Sequence, residues 1–224
     1  MRKRLDRKTR YLQIAFNYDR WMVDRVLPVI PQHPRILIEA GTPYIKREGM
    51  QGVSLIRQYW RGILVADIKI ADGALGEVEM VYRAGADAVT VLGNAPKETL
   101  DLVISTCKTY NMVSMMDTVG MKDPLKVILG LRKPPDVVVL HRGRDEENNR
   151  GKLIQYRHVN RLRSKYDVLI SAAGGIDVKG ARSAIFNGAN IVVANIVRPG
   201  DIWTGISSEE DVGEMARKFL TTIE

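Results

Sequence analysis

The chain has 224 residues, 45% of them hydrophobic and 27% charged, the profile of a globular protein able to bury a core without a disulfide or structural metal. Its single cysteine, Cys107, excludes an intrachain disulfide, and no apolar run approaches the roughly 18 residues of a membrane span. The formal charge of +8 is unevenly placed, because residues 1–10, MRKRLDRKTR, hold six Lys/Arg against one Asp. We therefore expect a cytoplasmic protein made of one domain (11–224) behind a basic arm (1–10). Such an arm either binds nucleic acid or anionic lipid, or is a solvated or subunit-contacting extension. With no aromatic or glycine pattern beside the charge, the second reading is the better one.

From Tyr11 onward a short apolar run, a polar or glycine-bearing turn and a longer amphipathic stretch alternate. The runs are YLQIAF (11–16), RILIE (35–39), ILVADI (63–68), DAVTVL (87–92), MVSMM (112–116), DVVVL (136–140), DVLIS (167–171) and NIVVAN (190–195). Apolar almost throughout, they fit parallel strands buried on both faces. Segments such as 74–85, 96–110 and 177–188 between them suit crossover helices, several stopping at Gly or Asn. Eight such units predict an α/β fold, a closed (β/α)8 barrel with no second domain.

In a barrel of this kind the chemistry lies at the carboxyl ends of the strands. Those ends read Asn17, Glu39, Asp67 with Lys69 and Asp72, Gly93, Asp117, His141 with Arg142 and Arg144, Gly174-Gly175, and Ala194-Asn195. Two apart on an extended segment, Asp67 and Lys69 are expected to face the barrel mouth together, with the lysine between Asp67 and Asp72. Such an array holds an enediolate and moves protons; alone, it reads equally well as a structural ion-pair network. Glu39 and His141 on other strands tip it towards catalysis. Glu39 and Asp67 are candidate oxygen ligands for Mg2+, with Lys46 or Lys69 as alternative partners for the Glu39 carboxylate. His141, followed by Arg142 and Arg144, suits proton transfer or anion binding, whereas His33 and His158 receive no role. Gly174 and Gly175, between a strand and a helix start, suit a phosphate cradle.

At these residues the sequence resembles the orotidine-monophosphate-decarboxylase suprafamily, in its hexulose-phosphate-synthase and keto-gulonate-phosphate-decarboxylase branches. The resemblance runs from Leu12 to about Ala194 and is densest in IEAGTPYIKREGM, VADIKIADGALGEVEM, RAGADAVTVLG, LHRGRDEE and ISAAGGID. The Asp-x-Lys-x-x-Asp signature reads Asp67, Lys69 and Asp72; the Glu-x-Gly-Thr-Pro element of the metal-dependent branch reads Glu39, Gly41, Thr42 and Pro43. Orotidylate decarboxylases themselves resemble the chain less, carrying lysine rather than an acid at the second strand. The resemblance implies a Mg2+-dependent aldolase acting on a sugar phosphate, joining formaldehyde to ribulose 5-phosphate. In it, Glu39 and Asp67 hold the metal, His141 moves the C1 proton and Lys69 donates to an enediolate oxygen. Asp72 reaches into a partner's site in a homodimer. Asn17, Asp117, Arg144, Gly174, Gly175, Ala194, Asn195 and Arg198 are the implied substrate contacts. Of these, Asn17 departs from the family's Asp, and Ala194-Asn195 from its Gly-Arg or Gly-Gly. Arg198 or Asn195 is then expected to replace the missing phosphate contact. Decarboxylation of a 3-keto-sugar-acid phosphate is the alternative that Arg144 favours. A non-catalytic or RNA-binding relative using the basic arm is a third.

Overall fold

The computed structural model describes residues 5–147, 149 and 151–224. Residues 1–4 of the expected arm, and positions 148 and 150 after His141, lie outside the described residues. Eight parallel strands form one closed barrel: β1 (Tyr11–Phe16), β2 (Ile36–Ala40), β3 (Ile63–Ile70), β4 (Ala88–Leu92), β5 (Val113–Asp117), β6 (Val137–His141), β7 (Leu169–Ala173) and β8 (Ile191–Val197). Each pairs with its successor, and β8 pairs back onto β1, from Tyr11 opposite Ile191 to Ala15 opposite Asn195. A two-residue β9 (Ile206–Ser207) extends from the upper end of β8. Helices α1 (Arg20–Val26), α2 (Thr42–Tyr59), α3 (Ala74–Arg83), α4 (Lys97–Thr109), α5 (Pro124–Ile128), α6 (His158–Arg163), α7 (Val178–Phe186) and α8 (Val212–Thr222) connect or follow the strands. No helix among the described residues is long and apolar enough to cross a membrane.

Alternation along the strands makes two cores. Leu12, Ile14 and Phe16 on β1 face the helices with Ile38, Leu64, Ile170 and Val192. Tyr11 and Ala15 face the barrel axis with Leu37, Val65, Met115 and Val193. Five of the eight strands begin one residue later than their apolar runs, and three of the displaced residues explain why. The Asp87 carboxylate accepts the Leu64 N–H at 3.0 Å, Asp136 the Ser114 N–H at 2.9 Å, and Asn190 Oδ1 the Ile170 N–H at 3.0 Å. Each polar residue stands just below one strand and satisfies a backbone donor near the foot of its neighbour. At the other end the strands outlast the apolar runs, because Asp117 and His141 still belong to the ladder.

The arm is folded onto the barrel from Leu5 onward, not extended into solvent. Leu5 packs against the inner core, Asn190 donates to the Arg7 carbonyl, and Arg7 pairs with Asp167. With Lys8, Arg10, Arg163 and Lys165 it lines a basic cavity of about 630 Å³ at the foot of β7 and β8, at the end of the barrel opposite the mouth.

Candidate active site

At the carboxyl ends of the strands a cavity of about 260 Å³ opens into the barrel. Glu39, Asp67, Lys69, Asp117, His141, Asn17, Arg144, Gly174 and Asn195 line it, so most residues expected from the sequence converge. Lys69 is the hub. Its Nζ lies 2.9 Å from both oxygens of Asp67 and 2.6 Å from Asp117 Oδ2. The expected second carboxylate, Asp72, is exposed just beyond β3 and does not line the cavity. Asp117, arriving from β5, takes its place beside the lysine.

The local backbone explains the exchange. β3 is not regularly extended: its register against β4 shifts between Ala66 and Ile70, and Lys69 has φ +52°. A left-handed lysine is strained by roughly 1–2 kcal/mol, and such strain concentrates at functional positions. Thr90 holds the turn, accepting the Lys69 N–H at 3.0 Å while its Oγ1 donates to Asp67 Oδ1 at 2.7 Å. On the other side the Thr42 hydroxyl lies 2.8 Å from Asp67 Oδ2 and 2.6 Å from the Asp67 carbonyl. Thr42 stands at the start of α2, which turns in immediately behind Gly41. A Cβ at Gly41 would fall 2.1 Å from Asn17 Oδ1, so only glycine lets Asn17 into the mouth there. Asn17 in turn donates to Asn195 Oδ1 at 3.0 Å across the closing seam.

The charges form two groups. Burial opposes ionisation of Asp117, but His141 and Lys69 outweigh it and hold the carboxyl far below its ordinary range. His141 Nδ1 lies 2.9 Å from Asp117 Oδ2. Burial would lower the His141 pKa, yet Asp117 raises it above the ordinary imidazole value. Lys69 is likewise raised against the pull of burial, by Asp67 and Asp117, and is a fixed cation. Glu39 behaves oppositely: burial first, then repulsion from Asp67, pushes its carboxyl up to about 7. The Glu39 Oε2 accepts a 2.5 Å hydrogen bond from Gln13 Nε2.

Four expected contacts fall elsewhere. Ala194 faces the helices and is packed in the outer core, since its neighbours Val193 and Asn195 take the inward positions. Arg198 does not line the cavity: it pairs with Asp19 at 2.8 Å and lies over the Tyr18 ring at 4.4 Å. Tyr18 itself donates to Asp201. Gly175, at φ +61°, faces Arg142 and Glu147, not the cavity. Asp72 is the fourth. Gln13 and Thr90 were missed, although each is the lone polar residue inside a buried apolar run, which is the signal that finds them.

A family model described as "Orotidine 5'-phosphate decarboxylase / HUMPS family" matches residues 12–195. The chain belongs to this family. Its curated relatives include the "Bifunctional enzyme Fae/Hps" of Methanothrix thermoacetophila, 37% identical over 95% of the chain and 52% of that protein. The protein of the same name from Methanocaldococcus jannaschii is 32% identical over 94% and 51%. The chain thus spans about half the length of the curated relatives it matches. Among solved structures, 3-hexulose-6-phosphate synthase from Salmonella typhimurium shares the fold at a TM-score of 0.78, with 24% identity over 95% of this chain and 98% of that one. Orotidine 5'-monophosphate decarboxylase from Methanocaldococcus jannaschii shares the fold less closely by both measures, with a TM-score of 0.72 and 15% identity over 96% of this chain and 99% of that one.

Proposed function

We propose that the chain is a carbon–carbon lyase of the hexulose-phosphate-synthase type, joining formaldehyde to ribulose 5-phosphate or cleaving the hexulose 6-phosphate. The observation that carries the reading is the Asp67–Lys69–Asp117–His141 relay: a fixed cation between two carboxylates, one of which orients an imidazole. The Fae/Hps relatives and the family membership support it. Lys69 Nζ places its charge where an enediolate oxygen develops and favours that oxygen over the ground-state carbonyl. His141, its Nδ1 side held by Asp117, presents its other nitrogen to the C1 proton and can both remove and return it. Asn17 and Asn195, fixed against each other, offer an amide pair to the sugar hydroxyls.

The donor set fits Mg2+ at Glu39 and Asp67. Both offer carboxylate oxygens on adjacent strands, and burial first, then repulsion from Asp67, pushes Glu39 up, so added positive charge would relieve it. Among the described residues no group of three or more His, Cys, Asp or Glu could hold a metal by itself, so substrate oxygens and water would have to complete its coordination. When bound, the metal would supply Lewis-acid polarisation of neighbouring carbonyl and hydroxyl oxygens. Exposed Asp72 is free to complete the site of a second copy, so the proposed active form is a homodimer.

Decarboxylation of a 3-keto-sugar-acid phosphate is the second reading, favoured by Arg144, which lines the mouth with its guanidinium 4.3 Å over the Trp203 ring. The test is formaldehyde release from hexulose 6-phosphate with and without Mg2+. Metal-dependent release is expected. Carbon dioxide from a 3-keto-sugar-acid phosphate, with no formaldehyde from the hexulose, would establish the second reading. Inactivity on both would overturn the assignment.

A further inference from the structure

The loops after β6, β7 and β8 meet beside the mouth around one carboxylate, that of Glu147. A Cβ on Gly175 would lie 2.6 Å from Glu147 Oε2 and 2.7 Å from Arg142 Nη2, so both charged groups press against the backbone at that glycine. The Thr204 N–H, from the loop after β8, also stabilises the Glu147 carboxylate. Arg142 donates to the Gly174 carbonyl at 2.8 Å, yet its Nε is buried and takes no acceptor among the described residues. Glu147 Oε2 is buried and unpartnered in the same way. Arg144, the next cation, is turned onto Trp203. A backbone donor and two guanidinium groups therefore surround a position that suits a dianion, yet an internal monoanion fills it.

We propose that Glu147 is an internal counter-anion seated in the phosphate subsite, and that a phosphate monoester enters only by displacing it. This rests on the reading of the mouth as a sugar-phosphate site. A carboxylate offers two oxygens and one charge where a phosphate offers three oxygens and nearly two charges, which is why Arg142 Nε and one carboxylate oxygen are left over. Burial pushes the Glu147 carboxyl above its ordinary value, while Thr204, Arg142 and Arg144 hold it down; the pocket solvates this occupant incompletely. The device lowers phosphate affinity and makes no hydrogen bond to Lys69 or His141, touching His141 only through the weakest of its charge interactions, so it acts on binding more than on chemistry.

Calorimetric titration with inorganic phosphate tests the inference without any sugar. Glu147→Gln and Glu147→Ala should each bind phosphate about tenfold more tightly than the parent, the gain shrinking at high salt. In the hexulose-phosphate assay both should lower KM with kcat changed less. Arg142→Gln in either background should abolish the gain. Unchanged or weaker phosphate binding in both Glu147 variants would overturn the proposal, whatever the enzyme does with hexulose 6-phosphate. Tighter phosphate binding with no turnover of any sugar phosphate would uphold the subsite and sink the assigned reaction instead.

Discussion

Two buried carboxylates in one mouth, Glu39 on β2 and Asp117 on β5, are driven in opposite directions. Both are almost out of solvent, so burial acts on each alike. Asp117 stands between His141 and Lys69, hydrogen-bonded to both, and stays ionised; Glu39 has an amide and another carboxylate as its leading partners, feels the same two cations only weakly, and reaches about 7. The difference is one of company rather than depth. One half of the mouth is electrostatically complete and suited to proton movement, and the other is short of positive charge and suited to receive it.

Removing the cation that completes the first half has the largest expected effect. Lys69→Ala should lower kcat by 100-fold or more, as estimated for loss of a preorganised electrostatic group, with the fold retained by circular dichroism. A variant with near-parental turnover would show that the relay is only an ion-pair network. The second half responds in stability. A carboxyl whose folded value is raised gives stability that is complete below its unfolded value and lost as pH rises through the folded one, here between about 4.5 and about 7. Glu39→Gln should therefore stabilise the metal-free protein at pH 8 by on the order of 3 kcal/mol. Added Mg2+ should raise the Tm of the parent and leave that of the variant unchanged; equal metal shifts in both would remove Glu39 from the ligand set. A smaller effect is expected of Thr90→Val, which frees the Lys69 turn from Asp67: kcat should fall about tenfold while Lys69 remains present. Arg198→Ala should be nearly silent, with KM changed less than about twofold, because its partners Asp19 and Tyr18 lie outside the cavity. A large rise in KM would return Arg198 to the phosphate.

The barrel was legible because eight apolar runs and their crossovers repeat one pattern, and the strand ends followed from it. Glu39, Asp67, Lys69, Asp117 and His141 were found in this way. Ala194 and Arg198 were not separable from true mouth residues by sequence alone: at a strand end, inward and outward positions differ by one residue, and a single register decides them. Asp72 was placed beside Lys69 by its nearness in the Asp-x-Lys-x-x-Asp pattern, but β3 ends at Ile70 and Asp72 lies exposed beyond it, behind the left-handed turn at Lys69. Nothing in sequence marks that turn, since lysine has no preference for it. Glu147 was equally silent, because its surroundings come from three loops far apart in the chain.

The Asn17–Asn195 hydrogen bond spans the seam where the first strand meets the last. The amide pair is thus assembled from chain segments at nearly opposite ends, with every other strand lying between them in sequence. That contact joins residues 178 apart in the chain, so its loop-closure entropy falls on the whole barrel. The seven remaining junctions can zip locally, but the amide pair exists only once the cylinder has closed, so an intact pair is itself a report of closure.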